Sequence, residues 1–131
     1  MSGFSTLRRF ALSAAMLGFA AHAAAAPAPL TLDVYNPGAA AIFPVSSVLI
    51  SGDKDAILVD AQFGKAQARQ VVDKIRASGK HLTTIYISHG DPDYYFGLET
   101  LTQAFPDAKV VAPGPVVEHI NQTKDAKLAF W

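Results

Sequence analysis

The chain has 131 residues, enough for one domain, and half of them are hydrophobic, so a packed core is within reach and general disorder is excluded. It has no cysteine, which rules out disulfides and thiolate metal sites. Eleven basic residues balance eleven acidic ones, and no basic patch interleaves with aromatics, so nucleic acid is not an expected partner.

Residues 1–25 read as an export signal. Arg8 and Arg9 precede an apolar run over 10–21 that is too short to cross a bilayer, and Ala-x-Ala patterns end at Ala23 and Ala25. A periplasmic or secreted protein with no stable membrane anchor after cleavage is the expectation. The alternatives are an uncleaved anchor or a disordered tail. Arg8-Arg9-Phe10 also hints at twin-arginine export, although general secretion is preferred. After cleavage, nine basic residues face eleven acidic ones, a net charge of −2.

The remaining residues, 26–131, read as one domain. Pro27-Ala28-Pro29 is a stiff spacer, and residues 30–35 alternate as a strand before a turn at Asn36-Pro37-Gly38. Residues 45–50 form a second strand, its apolar character interrupted by Ser46 and Ser47. The polar turn at 52–55 leads into Ala56-Ile57-Leu58-Val59-Asp60, so the pair should form a β-hairpin. Residues 64–78 are helical by period, with Ala68, Val71, Val72 and Ile75 on one face and Gly79 as the stop. A strand over 82–87, a short helix over 98–105 closed by Pro106, a strand over 108–112 and a helix starting near Pro115 complete the order β, β, β, α, β, α, β, α. The end, Ala129-Phe130-Trp131, is apolar and uncapped; truncation is the expectation there, with packing of the helix end on the core as the alternative.

Ser88-His89-Gly90-Asp91-Pro92-Asp93-Tyr94 follows the β-branched strand 82–87. It places an imidazole and two carboxylates on a loop at the carboxyl end of a strand, where open α/β sheets usually carry chemistry. Read alone, Gly-Asp-Pro-Asp is also ordinary turn chemistry, and Asp93 is placed to cap a helix near Gly97.

In its setting, the stretch resembles the metal loop of the metallo-β-lactamase fold superfamily, His-x-His-x-Asp-His. The resemblance covers about residues 30–131 and implies an α/β fold, the amino-terminal half of an αββα sandwich. It implies metal-ligand roles for His89, Asp91 and Asp93, with Asp91 and Tyr94 standing where the family has histidines. Asp93 is also the catalytic candidate, while Asp60 and Tyr94 are supporting residues. A carboxylate at position 91 favours harder ions, and a phenol is a poor ligand at position 94. The implied cofactor is a divalent metal, zinc first, with iron or manganese as alternatives. The implied chemistry is metal-activated water attacking an ester, lactam or related bond of a small molecule. Three ligands on one loop seldom close a site unaided, so weak or no metal binding is expected of these 131 residues alone. His81 and His119 read as surface histidines. Other readings are a non-catalytic fragment or accessory domain of the same fold, and a small solute-binding α/β domain. Half a sandwich would leave one sheet face uncovered, and self-association through that face is expected.

Overall fold

The computed structural model describes residues 28–131. The export signal expected over 1–25 lies outside the described residues. Five strands form one mixed sheet in sequential order: β1 (Thr31–Tyr35), β2 (Ser47–Ser51), β3 (Asp55–Val59), β4 (His81–Tyr86) and β5 (Lys109–Val111). β1, β2 and β3 run antiparallel as neighbours, which includes the expected hairpin; β3, β4 and β5 run parallel. The parallel steps need crossovers, and helices supply them. α1 (Lys65–Ser78) joins β3 to β4, while α2 (Pro92–Tyr95) and α3 (Leu98–Ala104) join β4 to β5. α4 (Gly114–Phe130) follows β5.

α1 forms where the 3.6-residue period predicts. Ala68, Val71, Val72 and Ile75 are all buried, and Gly79 ends the helix in the left-handed region at φ 66°. That conformation costs glycine little because it has no Cβ. The apolar face of α1 lies on the sheet face carrying Leu49, Leu58 and Ile85, and these residues join Leu82, Ile87 and Leu101 in one core. At the outer edge of that face, Lys74 pairs with Asp33 at 3.0 Å, and the Tyr35 hydroxyl donates to Gln70 Oε1.

The opposite sheet face has no helix on it among the described residues. The strand register brings Leu32, Ile50 and Ile57 into one row and Val34, Val48, Val59, Tyr86 and Val111 into the next. Much of this apolar surface is open: Leu32 is 68% exposed and Ile57 40%.

Most element ends fall within one or two residues of the sequence expectation, and two differences bear on the site. β2 begins at Ser47 rather than position 45, and the Val45 carbonyl is taken by the Gln62 side chain instead of a strand partner. The stretch after β4 contains a single helical turn, α2, where only a loop was expected. Pro92 occupies its first turn, where a missing N–H costs nothing.

Candidate functional site

Two strand ends build the site. β3 stops at Val59, and the Asp60 N–H donates to Tyr86 O at 2.8 Å, carrying the parallel ladder one step further. The backbone then turns sharply: Asp60 has φ 63° and Gln62 φ 71°. Left-handed conformations at residues other than glycine cost of order 1–3 kcal/mol each, so their surroundings must hold them. Gln62 is fully buried, and its Nε2 donates to Val45 O at 2.9 Å and to Ser47 Oγ at 2.8 Å. Ser47 in turn donates to Asp60 O at 2.7 Å.

The Asp60 carboxylate, 6% exposed, points at the end of β4. Its Oδ1 accepts the Ser88 N–H at 2.8 Å and its Oδ2 accepts the Ser88 hydroxyl at 2.7 Å. Ser88 Oγ also lies 2.7 Å from His89 Nδ1. A carboxylate only accepts, so the single hydroxyl proton of Ser88 is committed to Asp60. The contact to His89 then requires Nδ1 to carry a proton, and in the neutral ring Nε2 keeps its lone pair. This is the tautomer a histidine needs in order to bind a cation through Nε2.

The loop beyond His89 is stapled to the turn after β3. Ala61 N–H donates to Tyr94 O at 2.7 Å and Gly97 N–H to Gln62 O at 2.8 Å. Gly97 is required there, since a Cβ would stand 2.0 Å from Ala61 O. It precedes α3 without any side-chain cap, so Asp93 does not fill the capping role open to it in the sequence. Tyr94 stacks on His89 with ring centres 4.5 Å apart. Burial raises the Tyr94 phenol above its usual pKa, and the charges of Asp93, Asp60 and Asp91 add to the effect. Burial also raises the Asp93 carboxyl, with Asp91 and Asp60 acting in the same direction while its backbone hydrogen bond and His89 oppose. Next to the loop, Phe63 stacks on Phe96 at 5.5 Å, and Trp131 sets an edge against Phe43 at 5.2 Å and Phe63 at 5.4 Å.

Asp91 faces away from this relay, toward α4. Lys127 Nζ lies 3.3 Å from its Oδ1. His119, exposed as expected, nevertheless lies against the loop: a Cβ on Gly90 would come within 2.6 Å of His119 Cδ2. His81 is solvent-facing and 3.1 Å from Asp55.

The donor set tests whether a metal fits. His89 is prepared for one, because its proton is held on the far nitrogen. The remaining candidates are not gathered around it: among the described residues, no group of three or more His, Asp or Glu side chains is placed to hold a metal. Asp91 is engaged by an ammonium, and Tyr94 is held as a neutral phenol. By themselves, the described residues do not make a metal centre.

Ser88, Ser47, Gln62 and Lys127 carry site geometry that the sequence reading did not assign. Ser47 had a signal, as the polar break in an apolar strand, and Ser88 had one as the hydroxyl between strand and histidine.

A hairpin ending in a buried aspartate, a helical crossover, and a histidine loop at the next strand end place the chain in the mixed α/β class. Residues 41–130 match the metallo-beta-lactamase superfamily family Lactamase_B, and the chain belongs to that superfamily. Over 71 residues it is 32% identical to the uncharacterized protein YobT of Bacillus subtilis, covering 54% of this chain and 30% of that one. The metallo-β-lactamase FIM-1 from Pseudomonas aeruginosa, solved in its mono-zinc form, is similar with a TM-score of 0.55 at 16% identity, over 72% of this chain and 42% of that one. A metallo-β-lactamase from Hirschia baltica gives a TM-score of 0.56 at 14% identity, over 72% and 43%. These structural likenesses are of fold. The chain spans less than half the length of these relatives, consistent with half of the αββα sandwich.

Proposed function

We propose that this chain carries the histidine-loop half of an exported, metal-dependent hydrolase that acts on an ester, lactam or related bond of a small molecule. The observation behind this reading is the Asp60–Ser88–His89 relay, which leaves His89 Nε2 free to accept a cation. Superfamily membership supports the reaction class. His89 is the first ligand in this reading and Asp93 the nearby carboxylate candidate. Zinc is the first metal to try, and the other ligands come from polypeptide beyond the described residues. Asp60 and Ser88 are positioning residues that act through His89. The open sheet face of β1–β5 is also a candidate surface for self-association.

The test is the metal content of purified full-length protein by elemental analysis. Wild type is expected to retain zinc, and His89→Ala to lose at least tenfold. Equal content in the variant, or none in the wild type, overturns the reading. One observation favours a second reading, a non-catalytic domain of the same fold: Lys127 pairs with Asp91, a position that the family motif reserves for a metal ligand. In that case no metal-dependent hydrolysis accompanies the folded protein.

A further inference from the structure

α4 meets the loop at His119, beside Gly90, and at the ammonium group of Lys127. Lys127 Nζ is 3.0 Å from Gly90 O, 3.3 Å from Asp91 Oδ1 and 3.3 Å from His119 Nε2. An ammonium has three donors; Gly90 O and Asp91 Oδ1 accept two of them, and His119 Nε2 accepts the third in the tautomer that leaves that nitrogen unprotonated. His119 and Lys127 lie eight positions apart, about two helical turns, and so share the face of α4 that meets the loop. Gly90 makes the approach possible, since any side chain there would collide with the imidazole. Lys127 is the enclosed member of its ion pair, its side chain 22% exposed against 63% for Asp91.

We infer that Lys127 is the built-in cation of this loop, a tethered charge that withholds Asp91 from metal coordination while α4 is docked. The inference rests on the metal-dependent reading above and departs from the family motif at one residue. A divalent ion bound to Asp91 would sit within a few ångströms of the ammonium, and like charges that close repel. Lys127 must therefore leave before Asp91 can serve a metal, giving up its contacts to Gly90 and His119 as it goes. Metal binding at Asp91 and the Lys127 contact exclude each other. Trp131, the only tryptophan of these 131 residues, follows Lys127 by four residues and rests on Phe43 and Phe63, so its emission is sensitive to release of the helix end.

The experiment is a zinc titration of full-length protein against a chromophoric chelator, with Trp131 emission followed in parallel. The variants are Lys127→Met, Lys127→Arg, Asp91→Asn and the Lys127→Met/Asp91→Asn pair. Lys124→Met serves as a control for charge removal, because Lys124 pairs with Asp125 instead. Lys127→Met is expected to bind zinc at least tenfold tighter, which is about 1.4 kcal/mol. Lys127→Arg and Lys124→Met should stay within about threefold of wild type. Asp91→Asn should change little in the wild-type background and cancel the gain in the Lys127→Met background. Circular dichroism checks each fold, and Lys127→Gln carries the same expectation if Lys127→Met unfolds. No gain on removing the lysine charge, including no binding at all, overturns the inference. So does an Asp91→Asn loss of equal size in both backgrounds. Adding His89→Ala to Lys127→Met separates the two ideas: unchanged affinity there overturns His89 as ligand, and with it the hydrolase reading, while the coupling between Lys127 and Asp91 stands.

Discussion

Asp60 grips Ser88 with both carboxylate oxygens, one on the backbone N–H at 2.8 Å and one on the hydroxyl at 2.7 Å. The two residues are 28 positions apart, at the ends of neighbouring parallel strands. The contact ties the position of the histidine loop to the hairpin before α1.

Replacing Asp60 should therefore cost stability. Asp60→Ala removes two charge-assisted hydrogen bonds and leaves alanine at a left-handed φ, and a loss of about 3 kcal/mol is expected. Asp60→Asn keeps one acceptor oxygen and tolerates the backbone, so about half that loss is expected. Urea denaturation of both variants checks the order. Equal stability of Asp60→Ala and wild type would show that the pair carries no weight.

Ser88→Ala should act on the imidazole rather than on the fold. Without the hydroxyl, nothing holds the His89 proton on Nδ1, and the ring should populate both neutral tautomers. Nitrogen-15 shifts of the ring read this directly. Wild type should show a protonated Nδ1 and an unprotonated Nε2, and the variant a mixture.

Much of the fold was legible because it is locally encoded. The period of α1, the hairpin turn and the alternation of β1 each lie within a few neighbouring residues. α2 escaped because Asp91-Pro92-Asp93 starts a turn and a helix with the same residues, and the helical form is held by distant partners, through Tyr94 to Ala61 and Gly97 to Gln62. The loop was legible as a candidate site from His89, Asp91 and Asp93. What each residue touches was not, since Lys127 meets Asp91 across 36 positions. No periodicity records that meeting. The left-handed backbone at Asp60 and Gln62 was hidden for the same reason: buried partners hold it, not the residue types.

Two glycines separate steric need from backbone need. Gly97→Ala would put a Cβ 2.0 Å from the Ala61 carbonyl, which belongs to a bonded backbone and cannot easily move. The expected loss is about 3 kcal/mol. Gly79→Ala meets no atom within 4 Å and suffers only from its φ of 66°, for about 1 kcal/mol. Thermal melts of the pair should separate them, with Gly97→Ala the lower.

Asp93 gives the fold a pH dependence. Its folded carboxyl is raised above the ordinary value, chiefly by burial, so the folded state holds the proton more tightly than the unfolded chain does. Ionisation of this group therefore opposes folding. Its share of stability falls as pH rises from the ordinary carboxylate range, about 3.9, through the raised folded value. Asp93→Asn should raise the melting temperature at neutral pH, and the difference should vanish below the ordinary carboxylate pKa. A variant less stable than wild type at pH 7 would show that the carboxylate form is favoured.

The bare sheet face leads to a prediction about association. Leu32, Val34, Ile57, Tyr86 and Val111 lie exposed on one side of five strands. At strand spacings of about 4.8 Å and about 3.3 Å per residue, the patch measures roughly 20 by 17 Å. Apolar surface contributes roughly 25 cal/mol per Å2 when buried, and monomers rarely leave several hundred Å2 open. The rows through Leu32 and Val34 are apolar from β1 to β3, and the charged residues of the face, Asp55 and Lys109, sit at its margins, so the apolar rows can meet a copy of themselves. The 131-residue chain is expected to sediment as dimers or larger species. Placing charges at its centre and edge, as in Ile57→Glu with Val34→Glu, should shift it toward monomer without unfolding α1, whose contacts lie on the other face. A wild-type chain that stays monodisperse and monomeric, with one cooperative thermal transition, would show that the face tolerates water.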